Sequence, residues 1–488
     1  MKLLRDILYG VRIGDVAGNT NVAIDSITMD SRRVGNFSLF VAVKGTQTDG
    51  HEYIAQAVEK GAVAVICEEI PKNRFEKATY VAVSDSTEAL GIIAANFYDN
   101  PSASLKLIGI TGTNGKTTVA TLLYELFTIT GKKCGLISTV KNRIAGEDQP
   151  STHTTPDPIA INRLMAEMVK KGCTLCFMEV SSIAVDQKRI FGLEFDGAVF
   201  TNITHDHLDY HITFDNYIKA KKAFFDNLRP NAFALMNVDD KHARVMVQNS
   251  KARKLTYSLT TVADYKAKII ERDIRGMLLN INNREVWTKL SGVFNASNVL
   301  AVYGVARELG MENVETLTAI SNLEPVEGRF NTITSKNKIT GIVDYAHTPD
   351  ALENILNAIH EVVSPKTKVI TVVGCGGDRD KTKRPVMGKI ACRLSERSIF
   401  TSDNPRSEDA NVIIKEMQAE LTSLERSKML AITDREEAIK AAVALANEGD
   451  VILIAGKGHE KYQDINGVKY DFDDKKVLTE IFKNMEAA

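Results

Sequence analysis

The sequence predicts an α/β protein of three domains whose sheets are mainly parallel. Two series of short apolar runs, each the length of a buried strand and separated by helical patterns, predict two such sheets. A glycine-rich turn joins the first run of the first series to an amphipathic helix, which is the strand–turn–helix pattern of a βαβ unit. At 488 residues, 44% of them hydrophobic, the chain is long enough for about two to four domains with separate cores.

The first hundred residues differ in pattern from the rest. Short mixed strands, SLFVAV and AVAVICE, surround one helix, and the segment ends in the turn-rich stretch FYDNPSAS, a linker candidate. We therefore expect three domains, at residues 1–100, 101–330 and 331–488.

The central and last segments each have their own series of strands. The central series is LKLIGIT (105–111), CGLIST (134–139), TLCFMEV (174–180), GAVFTNI (197–203) and AFALMNV (232–238). The helix after the glycine turn has an apolar stripe formed by Val119, Leu122, Leu123, Leu126 and Phe127. The last series is ITGIVDYA, KVITVVG, RSIFTSD, MLAIT and DVILIAG, with an amphipathic helix expected from Asp350 to Val363.

Composition narrows the function classes. With 61 basic and 62 acidic residues, the formal net charge of −1 provides no overall attraction to nucleic acid or to an anionic membrane. Arg5 and Asp6 interrupt the apolar N-terminus, which fits neither a secretory signal nor a membrane span. Of six cysteines only Cys173 and Cys176 form a CxxC, and because this pair opens an apolar run we favour buried thiols over zinc. We expect a cytoplasmic protein with no nucleic-acid or membrane partner.

The glycine turn has the composition of a phosphate-binding loop. Backbone N–H groups and the following helix start can bind phosphate, Lys116 can reach the terminal phosphates, and the Thr117 hydroxyl can coordinate Mg²⁺. The loop is a variant, because Ile110 stands where the usual pattern has glycine. A turn that merely joins a strand to a helix would explain the glycines but not the Lys-Thr-Thr sequence at the start of the helix. The candidate nucleotide-binding residues are Gly112, Thr113, Asn114, Gly115, Lys116, Thr117 and Thr118.

Two further strands end in groups that suit a hard cation. Glu179 closes TLCFMEV, and GAVFTNI runs into the segment THDHLDYH, residues 204–211. Because ligands gather outside the carboxyl ends of parallel strands, both should approach the phosphate loop, with Mg²⁺ between the phosphates and Glu179. DHLDYH could equally be a polar surface loop, and its spacing alone does not decide.

Ten motifs in this order resemble the Mur ligase family, the ATP-dependent amide ligases of peptidoglycan synthesis to which folylpolyglutamate synthase is related. The motifs span nearly the whole chain and are TGTNGKTT, MEVSS, TNITHDHLDYH, YIKAKKAFF, GVFNASN, EGRF, DYAHTPDAL, GCGGDRD, DNPR and AGKGHE. The resemblance implies a UDP-binding N-terminal domain, a central P-loop ATPase domain and a Rossmann-like C-terminal domain. It also implies a monomer.

The resemblance implies roles for residues around the nucleotide. Asn295 would lie near the adenine, Arg329 would reach the phosphates, Asp344 would bind the ribose, and His347 would contact the nucleotide.

The resemblance also implies two magnesium sites. Thr117 and Glu179 would hold the first ion and His207 would belong to the second. Lys221 matches a lysine that is carbamylated in the family, which would make it a carboxylate-like ligand. From the residues alone, Lys221 is instead expected to be an exposed helix lysine like its neighbours Lys219 and Lys222.

Two further sets of residues match substrate positions of the family. The nucleotide-sugar set, each member of which could singly be a cap or loop residue, is Thr154, Thr155, Ser181, Gln187 and Arg189, with Ser31 beside the uracil. The amino-acid set is Arg379, Asp403, Asn404, Pro405, Arg406, Gly456 and Glu460. Asp403 to Arg406 match the DNPR motif of diaminopimelate-adding members, and a guanidinium can make a bidentate bond to the carboxylate that lysine lacks.

The implied activity is ATP-dependent addition of meso-diaminopimelate to UDP-N-acetylmuramoyl-L-alanyl-D-glutamate through an acyl phosphate. Three alternatives remain open: a lysine-adding ligase, a folylpolyglutamate synthase, and a P-loop regulatory ATPase that ligates nothing. The chain departs from the family pattern at Ile183, His205, Glu327 and Thr382.

Overall fold

A computed structural model of the chain describes residues 1–45, 48–151 and 153–487. Its main sheets have five, eleven and six strands and are predominantly parallel, which agrees with the predicted α/β class. They lie within residues 13–83, 106–288 and 331–455, so each falls inside one predicted domain, although the boundaries themselves stay predictions.

The N-terminal sheet has the order β2-β7-β6-β5-β4, in which only β2 runs antiparallel to its neighbour. The predicted runs SLFVAV and AVAVICE form β5 and β6. The strands are β1 (Lys2–Leu3), β2 (Ile13–Ala17), β3 (Ala23–Ile24), β4 (Ser26–Thr28), β5 (Ser38–Val41), β6 (Ala62–Cys67) and β7 (Thr79–Val83). The helices are α1 (Leu4–Ile7), α2 (Ile54–Glu59) and α3 (Ser86–Phe97), the last capped by the Asp85 carboxylate, which accepts from two backbone N–H groups.

The central sheet runs β11-β10-β9-β12-β8-β13-β14-β15-β16-β17-β18. All five predicted runs form strands, namely β8, β9, β12, β13 and β14. The strands are β8 (Lys106–Thr111), β9 (Cys134–Ile137), β10 (Asn142–Ile144), β11 (Glu147–Gln149), β12 (Leu175–Glu179), β13 (Gly197–Phe200), β14 (Phe233–Asn237), β15 (Arg253–Ser258), β16 (Tyr265–Asp273), β17 (Gly276–Ile281) and β18 (Arg284–Thr288). The structure adds β15 and the antiparallel β16–β18, which extend one edge of the sheet.

Helices cover the two faces of the central sheet. The predicted stripe on α4 is buried in the core beneath the sheet, together with much of α10. The helices are α4 (Lys116–Ile129), α5 (Pro158–Lys170), α6 (Ser182–Asp186), α7 (Leu208–His211), α8 (Phe214–Asp226), α9 (Ala243–Met246), α10 (Val293–Glu308) and α11 (Asn313–Ser321).

The C-terminal sheet runs β19-β20-β24-β21-β22-β23, parallel except for β19. All five predicted runs are strands, and the expected amphipathic helix is α12. The strands are β19 (Asn331–Thr334), β20 (Thr340–Asp344), β21 (Val369–Val373), β22 (Arg397–Phe400), β23 (Met429–Ala431), β24 (Val451–Ala455), β25 (Tyr462–Ile465) and β26 (Val468–Asp471). The helices are α12 (Pro349–Val362), α13 (Lys383–Leu394), α14 (Ala410–Met417), α15 (Ser423–Ser427), α16 (Arg435–Leu445) and α17 (Asp474–Ala487).

A fully buried ion pair lies beneath the strand ends of the C-terminal sheet. Arg435 Nε and Nη2 donate to the Asp474 carboxylate at 2.7 and 2.8 Å, and both side chains are 0% exposed. The same guanidinium donates to Ser402 O and Ala455 O, at the ends of β22 and β24. This pair therefore ties α16 and α17 to the loops that follow both strands.

The cysteines are free, buried thiols; Cys176 lies within β12 and Cys173 just before it. Burial raises the pKa of Cys67 to about 11, which keeps that thiol protonated and unreactive. None of the helices formed by the described residues has both the length and the apolar character needed to cross a bilayer.

Candidate functional site

The carboxyl ends of three adjacent parallel strands form the centre of the site. β12, β8 and β13 are neighbours in the sheet, and they end at Glu179, at the glycine-rich loop and at the segment leading to DHLDYH. The sequence-based expectation that these segments meet is therefore confirmed, and the reason is the shared direction of the three strands.

The glycine-rich loop needs glycine at two positions, Gly112 and Gly115. Gly112 and Gly115 have φ values of +153° and +88°. A Cβ on Gly112 would lie 1.9 Å from Thr201 Oγ1, and one on Gly115 would lie 2.6 Å from Asn298 Oδ1. Thr201 Oγ1 in turn donates to Asn114 O at 2.6 Å, so the end of β13 holds the loop in place. The loop is a rigid cradle of backbone N–H groups suited to phosphate.

Lys116 opens α4 and folds back over this loop. Its Nζ donates to Gly112 O at 2.9 Å and to Thr113 O at 2.8 Å. Burial lowers the pKa of Lys116, with Arg329 also acting in that direction and Glu179 opposing it. In this structure the Lys116 ammonium is stabilised by two backbone carbonyls. A phosphate bound at the loop would provide a negatively charged partner in their place. Thr117 and Thr118 follow in the first turn, both buried.

Glu179 is fully buried and hydrogen-bonded on both carboxylate oxygens. Thr117 Oγ1 donates to Oε2 at 3.0 Å. Thr139, which follows β9, donates its N–H to Oε1 at 2.8 Å and its hydroxyl to Oε2 at 3.1 Å. A hydroxyl and a buried carboxylate beside a phosphate loop are a donor set that suits Mg²⁺. Sequence reasoning did not find Thr139, since a lone threonine after a strand carries no signal.

The nucleotide-sugar candidates on the central domain form one chain of contacts leading to Glu179. Thr154 Oγ1 accepts from Thr139 Oγ1 at 3.0 Å, and Thr155 Oγ1 donates to Glu179 O at 2.7 Å and accepts from Ser181 N at 3.1 Å. Arg189 donates to Thr155 O at 2.8 Å.

Gln187 links this chain to the DHLDYH segment. Its Oε1 accepts from Arg189 at 2.7 and 3.0 Å, while its Nε2 donates to the Tyr210 hydroxyl at 3.2 Å. Ser31 lies apart in the N-terminal domain, where its hydroxyl donates to Gln56 Oε1 at 3.0 Å. The five central-domain candidates therefore come together, and Ser31 does not join them directly.

Lys221 is buried, which corrects the residue-based expectation of an exposed helix lysine. Only 1% of it is exposed, and its Nζ donates to Gly112 O at 2.8 Å and lies 4.8 Å from the centre of the Tyr217 ring. The expectation failed because helix α8 presents Lys219 to solvent but turns Lys221, Tyr217 and Phe224 inward. Burial, reinforced by the nearby Lys116 charge, lowers the pKa of Lys221 well below its ordinary value.

His207 lies at the start of α7 with φ of +53°, and its Nε2 is 3.6 Å from Asp206 Oδ2. Burial lowers the pKa of His207, so the imidazole is neutral and able to act as a ligand near neutral pH. Among the residues that the structure describes, no three His, Cys, Asp or Glu side chains converge as a ready metal cage. A cation here would therefore depend on hydroxyl, carbamate and phosphate oxygens in addition to Glu179 and His207.

The nucleotide candidates from the C-terminal side reach the loop through Arg329. Its Nη2 donates to Thr117 Oγ1 at 3.1 Å, its guanidinium lies 4.7 Å from the Tyr345 ring centre, and its buried Nε has no partner among the described groups. Asp344 accepts from Phe330 N at 2.7 Å and Ala346 N at 2.8 Å. Burial raises the pKa of Asp344.

His347 and Asn295 lie on either side of this region. His347 Nδ1 is 2.8 Å from Tyr345 O, and burial lowers the pKa of His347 to about 4. Asn295 is buried in α10, donates to Ser291 O at 2.8 Å and accepts from Asn298 at 3.2 Å. Because Asn298 packs on Gly115, Asn295 is one side chain removed from the phosphate loop.

A direct contact joins the phosphate loop to the C-terminal domain. Asn114 Nδ2 donates to Asp350 Oδ2 at 2.8 Å, and Thr204 Oγ1 donates to the same oxygen at 3.2 Å. Asp350 stands in the first turn of α12. The two domains are therefore held together at the nucleotide site by one carboxylate, which the sequence analysis did not single out.

The amino-acid candidates converge at the ends of β22 and β24. Asn404 Nδ2 donates to Glu460 Oε2 at 2.7 Å, and the fully buried Lys457 donates to both Asn404 Oδ1 and Glu460 Oε2 at 3.0 and 3.2 Å. Gly456 has φ of +115°, and a Cβ there would lie 2.5 Å from Asp403 Oδ2. Burial and the Asp403 charge raise the pKa of Glu460.

Arg406 lies against the glycine loop that follows β21. Its Nη1 donates to Gly377 O at 2.6 Å, and a Cβ on Gly376 would lie 3.0 Å from the same atom. Pro405 O packs against Gly377, where it lies 1.9 Å from the position that a Cβ would occupy. Both glycines are thus required by close packing against the DNPR segment.

Arg379 lines a cavity of about 360 Å³ between the DHLDYH segment and the loop after β21, bounded by Asp209, Asp378, Arg379, Asp380, Lys381 and Glu408. A larger cavity of about 800 Å³ opens on the opposite face of α8. The described residues that line the two cavities include none of the proposed phosphate or metal groups, and the smaller cavity is the one that includes an amino-acid candidate, Arg379.

The sequence matches three family models in succession. They are described as Mur ligase family, catalytic domain (residues 23–98), Mur ligase middle domain (110–306), and Mur ligase, glutamate ligase domain (328–458). The chain belongs to the Mur ligase family.

Curated relatives of this Mur ligase match it over nearly their whole length. A protein of Parabacteroides distasonis is 56% identical over 484 residues, covering 99% of this chain and 100% of the relative. One of Bacteroides fragilis is 55% identical over 479 residues, covering 98% and 99%. Both are named UDP-N-acetylmuramoyl-L-alanyl-D-glutamate--2,6-diaminopimelate ligase.

Solved structures agree with the fold. A structure of UDP-N-acetylmuramoyl-L-alanyl-D-glutamate--2,6-diaminopimelate ligase has a TM-score of 0.70 and 30% identity, covering 99% of both chains. The MurF ligase of Thermotoga maritima in complex with ADP has a TM-score of 0.63 at 20% identity, covering 96% of this chain and 99% of that one, and supports the fold alone.

Three of the four departures of this Mur ligase from the family pattern have local partners. Glu327 pairs with Lys461 at 3.0 Å, His205 stacks on Phe214 at 4.8 Å between ring centres, and Thr382 donates to Asp380 at 2.6 Å. Nothing in the structure explains Ile183.

Proposed function

We propose that this Mur ligase joins meso-2,6-diaminopimelate to the D-glutamyl residue of UDP-N-acetylmuramoyl-L-alanyl-D-glutamate, converting ATP to ADP and phosphate. The observation that carries the proposal is the environment of the DNPR segment, in which Asn404 donates to Glu460 at 2.7 Å and Arg406, two residues later, lies on Gly377. Arg406 uses Nη1 on Gly377 O, which leaves the other guanidinium nitrogens for a carboxylate. Glu460 presents a carboxylate suited to an ammonium group. Diaminopimelate has both groups on its far end, and lysine has only the ammonium.

The reaction begins with attack of the glutamyl γ-carboxylate on the γ-phosphorus of ATP, which breaks the bond to the β-phosphate oxygen and releases ADP. The phosphate loop, Lys116 and Arg329 would bind the phosphates, and Asn295, Asp344 and His347 would bind the rest of the nucleotide. Thr154, Thr155, Ser181, Gln187, Arg189 and Ser31 would hold the nucleotide-sugar substrate. An amine of diaminopimelate then attacks the acyl phosphate and phosphate leaves, giving the amide.

The donor set fits Mg²⁺, with Thr117 and Glu179 at one site and His207 and Lys221, as its carbamate, at a second. Bound Mg²⁺ would offset the repulsion between the anionic nucleophile and the phosphates. The residues of this chain orient those ligands: Thr139 fixes both oxygens of Glu179, and burial keeps His207 neutral. Burial lowers the pKa of the Lys221 amine well below its ordinary value, which favours the unprotonated form, and that form adds to CO₂ to give a carbamate and a proton.

The closed arrangement of the domains supports ligation over ATP hydrolysis. Asn114 with Asp350 holds the amino-acid domain on the phosphate loop, and Thr117 with Arg329 holds the segment that leads into that domain. Such closure excludes water from the acyl phosphate and brings the amine near it. We place the monomeric enzyme in the cytoplasm, where ATP and nucleotide-linked precursors are made, with no nucleic-acid or membrane partner.

The test is ADP release with ATP, Mg²⁺ and UDP-N-acetylmuramoyl-L-alanyl-D-glutamate, comparing meso-diaminopimelate with L-lysine. We expect turnover with diaminopimelate only. For Arg406→Ala we expect kcat/KM to fall by the equivalent of about 2 kcal/mol or more of transition-state stabilisation, since a charge-assisted pair is removed. Equal use of lysine would favour the lysine-adding alternative. ADP release that needs neither acceptor nor amino acid would favour a regulatory ATPase, and pterin dependence a folylpolyglutamate synthase.

A further inference from the structure

The hairpin β25–β26, residues 462–471, packs its inner strand on the DNPR segment. None of its residues belongs to the motifs identified above. Its two strands are joined by the two-residue turn Asn466-Gly467, both with positive φ, at 52° and 78°. A lone two-stranded hairpin is marginally stable in water, so its position depends on what it packs against.

The contacts are made to the backbone of Arg406. Arg406 N donates to Asp464 O at 2.9 Å, and Asn466 N donates to Arg406 O at 2.8 Å, so Arg406 pairs with the hairpin like one residue of an added strand. Arg406 has φ of +50°. An arginine in this left-handed region is held there only by its surroundings, and the two hairpin bonds are the ones that engage both of its backbone polar groups.

Side chains reinforce the same attachment. Gln463 Nε2 donates to Asp403 O at 3.0 Å and to Ser402 O at 3.4 Å. Asp464 N donates to Asn404 Oδ1 at 2.9 Å. Each residue from 402 to 404 is therefore also bonded to the inner strand.

The base of the hairpin is fixed to the junction between the central and C-terminal domains. Lys461 pairs with Glu327 at 3.0 Å, and Phe472 N donates to Lys461 O at 3.1 Å. The outer strand is exposed to solvent. The inner strand β25 is thus anchored at Lys461, and the edge that does not pair with β26 faces the DNPR segment.

We propose that the hairpin β25–β26 is a specificity element of the amino-acid site. The hairpin backbone holds Arg406 in the left-handed conformation that directs the guanidinium over Gly376 and Gly377 toward the distal carboxylate of the incoming amino acid. Gln463 is a positioning residue that acts on Arg406 through the backbone of Ser402 and Asp403, to which its amide donates. This inference rests on the proposed function and adds residues to it that touch no substrate.

The experiment uses the full chain and compares Gln463→Ala with Val468→Ala, a matched change on the outer strand where the side chain is 53% exposed. We expect Gln463→Ala to raise KM for meso-diaminopimelate about 5-fold or more, the loss of one or two hydrogen bonds, with kcat and KM for ATP within about twofold of the parent. Discrimination against L-lysine should fall in parallel. Val468→Ala should match the parent.

A double-mutant cycle separates positioning from general destabilisation. If Gln463 acts through Arg406, Gln463→Ala should have no further effect on KM for diaminopimelate in an Arg406→Ala background. Gly467→Ala is a second variant. Its Cβ meets nothing within 4 Å, but φ of +78° strains the turn, so it should raise the same KM with only a small fall in melting temperature.

The outcomes distinguish the two proposals. Parent turnover with diaminopimelate tests the function itself, and its absence would overturn both. If the parent turns over but Gln463→Ala and Gly467→Ala behave as Val468→Ala does, or if the effects of Gln463→Ala and Arg406→Ala simply add, the hairpin inference alone is overturned.

Discussion

At the scale of single residues, burial gives ordinary side chains their chemical roles. Lys221 would be an unremarkable cation on a solvated helix face, but enclosed beside Tyr217 and Lys116 it has a strongly lowered pKa. Glu179 is equally enclosed, yet three donors from Thr117 and Thr139 satisfy its carboxylate. Burial therefore disfavours the charged form of Lys221, whereas the Glu179 carboxylate has hydrogen-bond donors on both oxygens.

The carbamylation of Lys221 is directly testable. We expect Lys221→Ala to lower kcat roughly 100-fold or more, because a metal ligand is lost, and Lys222→Ala to stay near the parent. In ¹³CO₂-equilibrated buffer, the parent should show a carbamate carbon resonance that is absent from Lys221→Ala. Full activity of Lys221→Ala, or the same resonance in that variant, would contradict the assignment.

Thr139 is expected to position Glu179. Thr139→Ala removes the hydroxyl bond to Glu179 Oε2 but keeps the backbone bond to Oε1 and the Thr117 bond to Oε2. We therefore expect kcat/KM for Mg-ATP to fall about 10- to 100-fold, the cost of about 1.5–3 kcal/mol for one hydrogen bond to a charged group. Thr139→Ser retains the hydroxyl and serves as the control. Titration of activity against Mg²⁺ should show weaker apparent binding in Thr139→Ala only; equal titrations for both variants would argue against this role.

At the scale of elements, strand ends and helix starts decide which groups meet. The apolar runs predicted every strand that carries a catalytic candidate, because buried parallel strands need continuous apolar sequence. The antiparallel strands β16–β18 were missed since their half-exposed faces have a weaker pattern. The hairpin β25–β26 is mostly polar and exposed, so its sequence did not indicate a contact with the DNPR segment. Asp350 has the sequence context of an ordinary acidic residue in the first turn of a helix. The contacts of the hairpin and of Asp350 join segments that are distant in the chain, which local sequence does not report.

Asp350 is expected to couple α12 to the phosphate loop. Asp350→Ala removes the acceptor shared by Asn114 and Thr204, which are both partly buried, so we expect kcat to fall about 2- to 10-fold, the cost of about 0.5–1.5 kcal/mol for a net hydrogen bond. Small-angle scattering with a non-hydrolysable ATP analogue should show a larger radius of gyration than the parent. Glu353→Gln, one turn along the same helix in a surface pair with Arg393, is the control. An Asp350→Ala protein that closes and turns over as the control does would refute the coupling.

At the scale of the whole molecule, polar contacts and close packing hold three α/β units in one arrangement. Lys188 joins the central domain to Asp85 and Glu88 at 2.5 and 2.8 Å, and Arg329 joins the C-terminal side to Thr117. Phe191 O lies 2.3 Å from the position of a Cβ on Gly91, so the N-terminal domain also packs closely on the central one. The strand and helix pattern predicted three domains and the family resemblance gave each an expected role, whereas length and composition alone predicted about two to four cores.

Stability should depend on pH through two histidines. Burial and nearby cations lower the pKa of His347 to about 4 and of His459 to about 3, from an ordinary value of 6.5. Between pH 6.5 and about 4 the unfolded chain binds protons that the folded chain does not. The free energy of unfolding should therefore fall as pH is lowered, by at most about 1.4 kcal/mol per pH unit for each histidine.

Denaturant unfolding of His347→Gln with His459→Gln, measured from pH 8 to pH 4.5, checks this dependence. At pH 8, the difference in free energy of unfolding between variant and parent gives the packing cost of the two substitutions. Below pH 6.5, the free energy of unfolding should fall less steeply with decreasing pH in the variant than in the parent. Parallel curves for variant and parent would show that these two imidazoles are not the source.

The buried pair of Arg435 and Asp474 connects the last helix to the loops around the amino-acid candidates. Asp474 is the first residue of α17, and Arg435 extends from it to the loops that carry Asp403 and Gly456. Shortening the chain before residue 474 would leave a guanidinium charge without its counter-ion under these loops. We expect such a protein to retain nucleotide binding while binding the amino acid more weakly.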